Sequence, residues 1–336
     1  MKAIITGATG GLGRNLTEFL LAQGCEVLAF GRNAHIGSQL KTTFQSFDLS
    51  NKNACLANWQ SADFVFHCAA LSSPWGKLSD FQAANVIATQ NVLTAAEQFG
   101  CHKFIHISTP SIYFDFTDHL QIKENYLPKK MVNFYAQTKY QAEKIVAQSQ
   151  LNSIIIRPRG IFGEYDTALI PRLAQLAEKG FLPLIKRLGR NAGDAIVDTT
   201  YVGNLVQVLF QAAQTNIPEN AFRQPENLFC QNKTPVFNIT NNEPTKVIEI
   251  FRMIKDILGW KIKLKTLPYF VLDTAAHTME KLATFDKEPL LTRYSIATTA
   301  FDQTLDITAA QTYLNYQPLF SLSDGLERYA KHTARH

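Results

Sequence analysis

Tyr135 and Lys139 stand four residues apart in a stretch, 131–150, that carries helical periodicity. That spacing places both side chains on one helix face, about one turn apart. A phenol, with an ordinary pKa of about 10, is a poor base at neutral pH. A neighbouring ammonium stabilises the phenolate, and the pair can then pass a proton to or from an alcohol or ketone. Taken alone, the same spacing also describes a solvated helix face. A second feature is the run Thr6-Gly7-Ala8-Thr9-Gly10-Gly11-Leu12-Gly13. Gly7, Gly10 and Gly13 permit a tight turn, close approach of a pyrophosphate and tight packing of helix on strand. The helix start adds free N–H groups and a positive dipole end. The run follows an apolar segment and opens a helical one, the context in which a glycine loop binds a dinucleotide. Its spacing, G-x-x-G-x-x-G, is one residue longer than the G-x-G-x-x-G of typical dehydrogenases.

These residues need a scaffold, and the first half of the chain supplies one. Apolar runs at 2–6, 26–30, 43–47, 63–68, 103–107 and 153–157, rich in Ile, Val and Phe, read as buried strands. Between them, 12–23, 81–99 and 131–150 read as helices; Phe81, Ala84, Val86, Ala88, Val92 and Ala95–Ala96 give the second an apolar face. Strands alternating with helices imply right-handed crossovers and an α/β fold, a doubly wound parallel (Rossmann) sheet. Beyond Gly163 the rhythm breaks. Helical pieces near 168–180, 201–214, 245–258 and 269–284 alternate with Pro-containing loops, and only 235–239 reads clearly as a strand. We therefore expect residues 1–165 plus about 195–245 to form the nucleotide-binding domain, and 166–194 plus about 246–336 a smaller mixed substrate-binding region. The chain shows no internal repeat and no low-complexity segment.

Composition narrows the class. The 336 residues are 46% hydrophobic and 18% charged, which excludes a disordered chain. Net charge is 33 − 28 = +5, without the basic stripe of a nucleic-acid binder, so no nucleic-acid partner is expected. The balance suits anionic small molecules. Five scattered cysteines without a C-x-x-C pair imply reduced, packed thiols and a cytoplasmic protein. The first strand begins at the second residue, leaving no room for a signal peptide. The Asn-x-Thr triplets at Asn15, Asn232 and Asn238 then carry no glycosylation meaning. Leu267 to Phe285 is interrupted by Asp273, His277, Glu280 and Lys281, too polar for a membrane span. An amphipathic helix on the protein's own core is the favoured reading, with a membrane-surface helix as the alternative. His102 and His106 would be separated by roughly 13 Å on a strand, so no metal site is expected.

Several further motifs fall in order along the chain. His67-Cys68-Ala69-Ala70, Asn85-Val86-Ile87-Ala88-Thr89-Gln90-Asn91-Val92, His106-Ile107-Ser108-Thr109-Pro110-Ser111-Ile112-Tyr113 and Arg157-Pro158-Arg159-Gly160-Ile161-Phe162-Gly163 join the glycine loop and the Tyr-x-x-x-Lys pair. Together they resemble the extended short-chain dehydrogenase/reductase superfamily (NAD-dependent epimerase/dehydratase) over nearly the full length. Ala88 replaces the family's usual Gly. Pro74-Trp75-Gly76, Ser108-Thr109-Pro110-Ser111, Tyr201-Val202-Gly203-Asn204, Leu291-Thr292-Arg293-Tyr294-Ser295 and the Ala309-Ala310 to Pro318 segment resemble its 3β-hydroxysteroid dehydrogenase-like branch. Lys186-Arg187-Leu188-Gly189-Arg190 departs from that branch, being longer and more basic than the turn it replaces.

The resemblance implies a catalytic set of Thr109, Tyr135 and Lys139, with Ser108 the second candidate for the hydroxyl. It implies cofactor contacts from Gly7, Thr9, Gly10, Gly11, Leu12, Gly13, Arg32, Asn33, Asp48, Leu49, Cys68, Ala69, Ala70, Tyr135, Lys139 and Pro158. Trp75, Thr109 and Arg159 would face the substrate, Arg159 remaining open between that role and a domain-interface salt bridge. Lys186, Arg187 and Arg190 fall where relatives touch substrate and could hold an anionic group, or form a solvated turn. The residue closing the second strand, which reads the adenosine ribose, is Gly31, followed by Arg32. With no carboxylate there and a guanidinium beside it, NADP(H) is the expected cofactor and NAD(H) a possible one. Three readings follow. The first is hydride transfer to or from a β-hydroxy/β-keto compound with apolar bulk, sterol-like or a long-chain keto acid. The second is a nucleotide-sugar epimerase or dehydratase, which has the same first step. The third is a non-catalytic NADP(H)-binding sensor. Relatives often pair through helices corresponding to 81–99 and 131–150, so a homodimer is an expectation by analogy.

Overall fold

The computed structural model describes residues 1–218, 230–231 and 234–334. Seven parallel strands form its central sheet. They are β1 (Lys2–Thr6), β2 (Glu26–Gly31), β3 (Thr43–Ser46), β4 (Phe64–His67), β5 (Lys103–Ile107), Ser153–Pro158 and Thr234–Ile239. Across the sheet the order is Thr234–Ile239, Ser153–Pro158, β5, β4, β1, β2, β3, with the short strand Cys230–Gln231 antiparallel at one edge. Helices cover both faces, so strands such as β5 and Ser153–Pro158 are buried at every residue. Strand order reverses between β1 and β4, which opens a crevice at the carboxyl ends of those strands. The glycine loop leaves β1 directly into that crevice and enters helix α1 (Gly11–Ala22).

The long helix expected over 81–99 is divided. An α turn at Leu78–Phe81 leads into a π-helical segment, Gln82–Ile87, before α geometry resumes at Ala88–Gln98. The extra residue per turn brings Asn85 inward, where its Oδ1 accepts from the Leu71 amide at 2.8 Å and its Nδ2 donates to Thr138 at 3.0 Å. That contact fastens the loop after β4 to the helix Phe134–Gln148, which carries Tyr135 and Lys139.

The second half holds more strands than its hydrophobic pattern suggests. Phe181–Lys186 pairs in parallel with Lys263–Pro268; Pro183 and the three lysines of this pair disguise both strands. His119–Ile122, Ile196–Val197, Thr245–Lys246 and Gln303–Leu305 make a four-stranded sheet from distant segments. Helices Arg293–Ala297, Thr308–Leu314 and Leu322–Thr333 add to those anticipated. Tyr269–Leu282 is helical and fully buries only Ala276, while Phe270 and Leu282 stay exposed. No helix among the described residues is long and apolar enough to cross a membrane.

A buried ionic knot fixes the sheet to these additions. Arg157 grips Glu143 with two bonds, Nε to Oε1 at 2.8 Å and Nη2 to Oε2 at 2.5 Å, and its Nη1 reaches the Glu124 carbonyl at 2.8 Å. Tyr113 donates to Asn238 beside it, at 2.8 Å. Glu124 accepts from the Asn238 amide at 3.0 Å, and burial pushes its carboxyl up to about 7. Cys25, Cys55, Cys68 and Cys101 are free thiols. The Cys230 side chain and the Asn232 triplet lie outside the described residues.

Candidate active site

The glycine loop is shaped for a close ligand. Gly7 holds a φ of +70°, and a Cβ there would stand 2.7 Å from the Ala69 amide nitrogen. A Cβ on Gly13 would strike the Gly7 carbonyl and the Ala8 backbone, and one on Gly11 would stand 2.7 Å from the Tyr165 carbonyl. Gly10 is the extended cap of α1, so the amides of Gly11, Leu12 and Gly13 lie in the first turn, where a helix has no carbonyls to offer them. Such a cradle fits the pyrophosphate of a dinucleotide. The Thr9 side chain lies against Gly31 at the end of β2. Cys68 and Ala69 are half-buried and Ala70 exposed, so small side chains line one wall of the cradle.

At the far end of the loop, Gly31 closes β2 and Arg32 projects into solvent. No hydrogen bond or ion pair holds the Arg32 guanidinium among the described residues. Asn33 accepts from the Ile36 amide at 3.0 Å and caps the short helix Ala34–Gly37. Asp48 is exposed and accepts from the Ser50 amide at 2.9 Å. Leu49 is buried, and its carbonyl takes a 2.9 Å bond from Asn91, which ties the β3 exit to the helix Ala88–Gln98. Pro158 lies buried at the end of its strand, in register with Ile239.

Tyr135 and Lys139 project from the first turns of their helix, which Asn133 caps by accepting from Ala136 at 2.8 Å. The hydroxyls of Ser72 and Thr109 face the Tyr135 phenol and favour its anion, yet burial outweighs them and holds the phenol above its ordinary pKa. Sequence reasoning expected Lys139 to depress that value. Instead the Lys139 ammonium donates to the Ile107 carbonyl at 2.6 Å and lies 3.2 Å from His106 Nε2. Burial lowers it to about 8. His67 completes the buried row behind it, bonded to Thr6 at 2.7 Å and Thr89 at 2.9 Å and kept neutral by burial.

Thr109 caps the short 3-10 turn Pro110–Tyr113. Its hydroxyl accepts from the Ser111 amide at 3.1 Å and donates to the Ser111 hydroxyl at 3.0 Å. Ser111 in turn lies 2.6 Å from the Tyr294 hydroxyl. Ser72, Ser111 and Tyr294 therefore join the site, and sequence reasoning assigned them no role. Ser111 and Tyr294 stand inside quoted motifs, which is the signal that could have nominated them.

A cavity of about 1090 Å³ opens beside this row, walled by Trp75, Phe81, Phe114, Phe116, Phe134 and Phe285 and edged by Lys129, Lys130 and Lys281. Trp75 stacks on Phe285 at 5.3 Å and donates to the Thr284 carbonyl at 3.1 Å, so it forms part of this wall. The basic segment behaves differently from its charge count. Arg187 pairs with Asp118 at 2.5 Å and Arg190 with Asp302 at 2.9 Å, so two of its three cations serve the lobe itself.

The model of the NAD dependent epimerase/dehydratase family matches residues 3–222. The chain belongs to this family. It is 37% identical to the uncharacterized protein YbjS of Escherichia coli (strain K12), over 98% of this chain and 97% of that protein. It is 30% identical to 2-alkyl-3-oxoalkanoate reductase of Stenotrophomonas maltophilia (strain K279a), over 98% of each. Human sterol-4-alpha-carboxylate 3-dehydrogenase, decarboxylating, is 26% identical over 97% of this chain and 87% of that protein. Among solved structures, UDP-glucuronic acid 4-epimerase from Bacillus cereus in complex with NAD shares the fold, with a TM-score of 0.72 and 22% identity over 100% of this chain and 97% of that one. Members of this NAD-dependent oxidoreductase and epimerase family thus include relatives of the 3β-hydroxysteroid dehydrogenase type, as the sequence motifs implied.

Proposed function

We propose that the protein is an NADP(H)-dependent ketoreductase acting on a 3-oxo or 3-hydroxy compound with apolar bulk, a 2-alkyl-3-oxoalkanoate or a sterol-like analogue. The observation that carries this reading is the Tyr135–Thr109 pair set beside an aromatic-walled cavity. The names of two relatives support the same chemistry. Gly7, Thr9, Gly10, Gly11, Leu12 and Gly13 would hold the pyrophosphate, Arg32 and Asn33 the adenosine end, and Lys139 the ribose next to the nicotinamide. Cys68, Ala69, Ala70 and Pro158 would line its path. The nicotinamide, when bound, supplies or takes the hydride. Tyr135 passes the proton to or from the substrate oxygen, and the Thr109 hydroxyl turns its proton from Ser111 to that oxygen. Lys139 holds its positive charge against the sheet end. Trp75 covers the apolar part of the substrate.

The test is a cofactor-absorbance assay with a 2-alkyl-3-oxoalkanoate, a 3-oxosterol and UDP-sugars in parallel. Stoichiometric NADPH consumption with either of the first two supports the reading. Interconversion of a UDP-sugar without net consumption of cofactor overturns it in favour of epimerisation. Cofactor binding with no turnover of any of these overturns it in favour of a sensor.

A further inference from the structure

Two arginines stand two residues apart at the end of one strand, and only one makes a direct ion pair. Arg157 holds Glu143 through both carboxylate oxygens. Arg159 is just 9% exposed, yet its Nη1 donates to a neutral acceptor, Gln303 Oε1, and its Nε has no partner. No carboxylate lies within ion-pair distance of it among the described residues. A buried guanidinium in that state is costly, because its Nε–H has lost water without gaining an acceptor in contact.

Two donors of the same region lack acceptors as well. Ser108 Oγ, 5% exposed, has no partner, and neither has Gln303 Nε2 at 3%. All three are donors. β5 pairs with Ser153–Pro158 up to Ile107 opposite Ile156, and the Ser108 amide donates to the Ile156 carbonyl at 2.7 Å, so Ser108 and Thr109 leave β5 beside the strand end that carries Arg159. Arg159 also lies near enough to Tyr294 for its charge to favour the Tyr294 phenolate. Tyr294 lines the cavity and reaches Thr109 through Ser111.

We propose that Arg159 and Ser108 are the carboxylate-reading element of the substrate site, holding an acid group placed β to the carbonyl that Tyr135 and Thr109 engage. This rests on the ketoreductase reading and names the substrate class within it: a 3-oxo acid in its free, ionised form, and not its ester. In a 3-oxo acid the carboxyl carbon is two bonds from the reacting carbon, so its anion must fall within a few ångströms of the catalytic hydroxyls. An ionised carboxylate accepts at both oxygens, which matches a guanidinium Nε–H and a serine hydroxyl that both lack acceptors. Asp198 is the nearby acid: its Oδ2 accepts from the Leu305 amide at 2.7 Å, its buried Oδ1 has no hydrogen-bond partner, and its charge and that of Arg159 favour each other without a direct contact, which leaves the Arg159 Nε–H open to a second acceptor.

The experiment compares a 2-alkyl-3-oxoalkanoate with its methyl ester, for the wild type and for Arg159→Gln, Arg159→Lys and Ser108→Ala. The unliganded melting temperature of each variant confirms folding. We expect the wild type to prefer the acid by about a hundredfold in kcat/KM, the scale of charge-assisted bonds. Arg159→Gln should bring the ratio close to one, and Arg159→Lys should keep part of it. Equal rates on acid and ester in the wild type, or a full acid preference in Arg159→Gln, overturns the proposal while leaving the ketoreductase reading intact. A second measurement needs no turnover. With NADP⁺ bound, a 2-alkyl-3-hydroxyalkanoate should raise the melting temperature of the wild type and not that of Arg159→Gln, whereas an equal rise in both overturns the proposal. If neither acid nor ester is reduced, the ketoreductase reading fails and this melting comparison alone decides the carboxylate site.

Discussion

Lys139 donates to the Ile107 carbonyl at 2.6 Å, so its ammonium is anchored on the end of β5 as well as by its own helix. The cost of that position is burial, which lowers the ammonium to about 8. Its charge is therefore present below that value and lost as the pH rises through it. Where Lys139 holds the cofactor ribose, NADP(H) affinity should be level at neutral pH and fall by roughly tenfold across the alkaline side of that value. Lys139→Met should fall to the low level at every pH. A fluorescence titration of bound NADPH against pH reads both, and a wild-type affinity that stays flat through this range sinks the assignment.

Tyr135→Phe should retain cofactor binding and lose turnover by roughly a thousandfold, within the usual range for a removed general acid. The ring still packs, and only the hydroxyl facing Ser72 and Thr109 is gone. Calorimetric binding of NADPH and a turnover assay separate the two effects. Full activity in this variant would end the mechanism.

The sheet and the shared helix face of Tyr135 and Lys139 were legible because both are written in local patterns. Each parallel strand is a short apolar run, and Tyr135 and Lys139 face one way by helical spacing alone. What stayed hidden depends on partners far away in the chain. Ser111 and Tyr294 are separated by 183 positions, and nothing near either announces the bond. The basic run 186–190 counts as three free cations until Asp118 and Asp302 are found beside Arg187 and Arg190. Arg157 and Arg159 look alike in sequence, and Glu143, reaching in from the helix Phe134–Gln148, pairs with the first alone. The π-helical turn at Gln82–Ile87 is invisible because apolar residues recur through it at ordinary helical spacing.

Glu124 makes stability depend on pH. Burial raises its carboxyl from the ordinary 4.5 to about 7, so the folded protein binds a proton there more tightly than the unfolded chain does. The protonated carboxyl suits the fold: its contribution is complete below the unfolded pKa and is lost as pH rises through the folded one. From that shift, on the order of 3 kcal/mol separates the two limits. Glu124→Gln keeps an oxygen for the Asn238 amide and removes the titration. Urea melts of the two proteins should diverge as pH rises toward neutrality, with the variant the more stable, and parallel pH profiles would show that Glu124 is not responsible.

On the proposed reading, cofactor choice rests on Gly31 and Arg32. Gly31 ends β2 with no carboxylate to repel a 2′-phosphate, and the exposed Arg32 guanidinium offers a fork that can bond it and stack on adenine. Charge-assisted bonds of this kind contribute roughly 1.5–3 kcal/mol, or about ten- to a hundredfold in affinity. Arg32→Ala should therefore weaken NADP(H) binding by that factor and change NAD(H) binding little. Gly31→Asp should reverse the preference, since an aspartate there bonds the NAD ribose and repels the phosphate. The structure adds a condition on that variant. A Cβ at Gly31 would stand 2.9 Å from Thr9 Oγ1 and 3.0 Å from its methyl carbon, so Thr9 must turn aside. Gly31→Asp should then bind both cofactors less tightly than its charge alone implies, and the pair Gly31→Asp with Thr9→Ser should recover NAD(H) affinity. Dissociation constants for all four proteins with both cofactors settle the point. A wild type that prefers NAD(H), or an Arg32→Ala protein that loses both cofactors equally, would show that Arg32 stacks on the adenine without reading the phosphate.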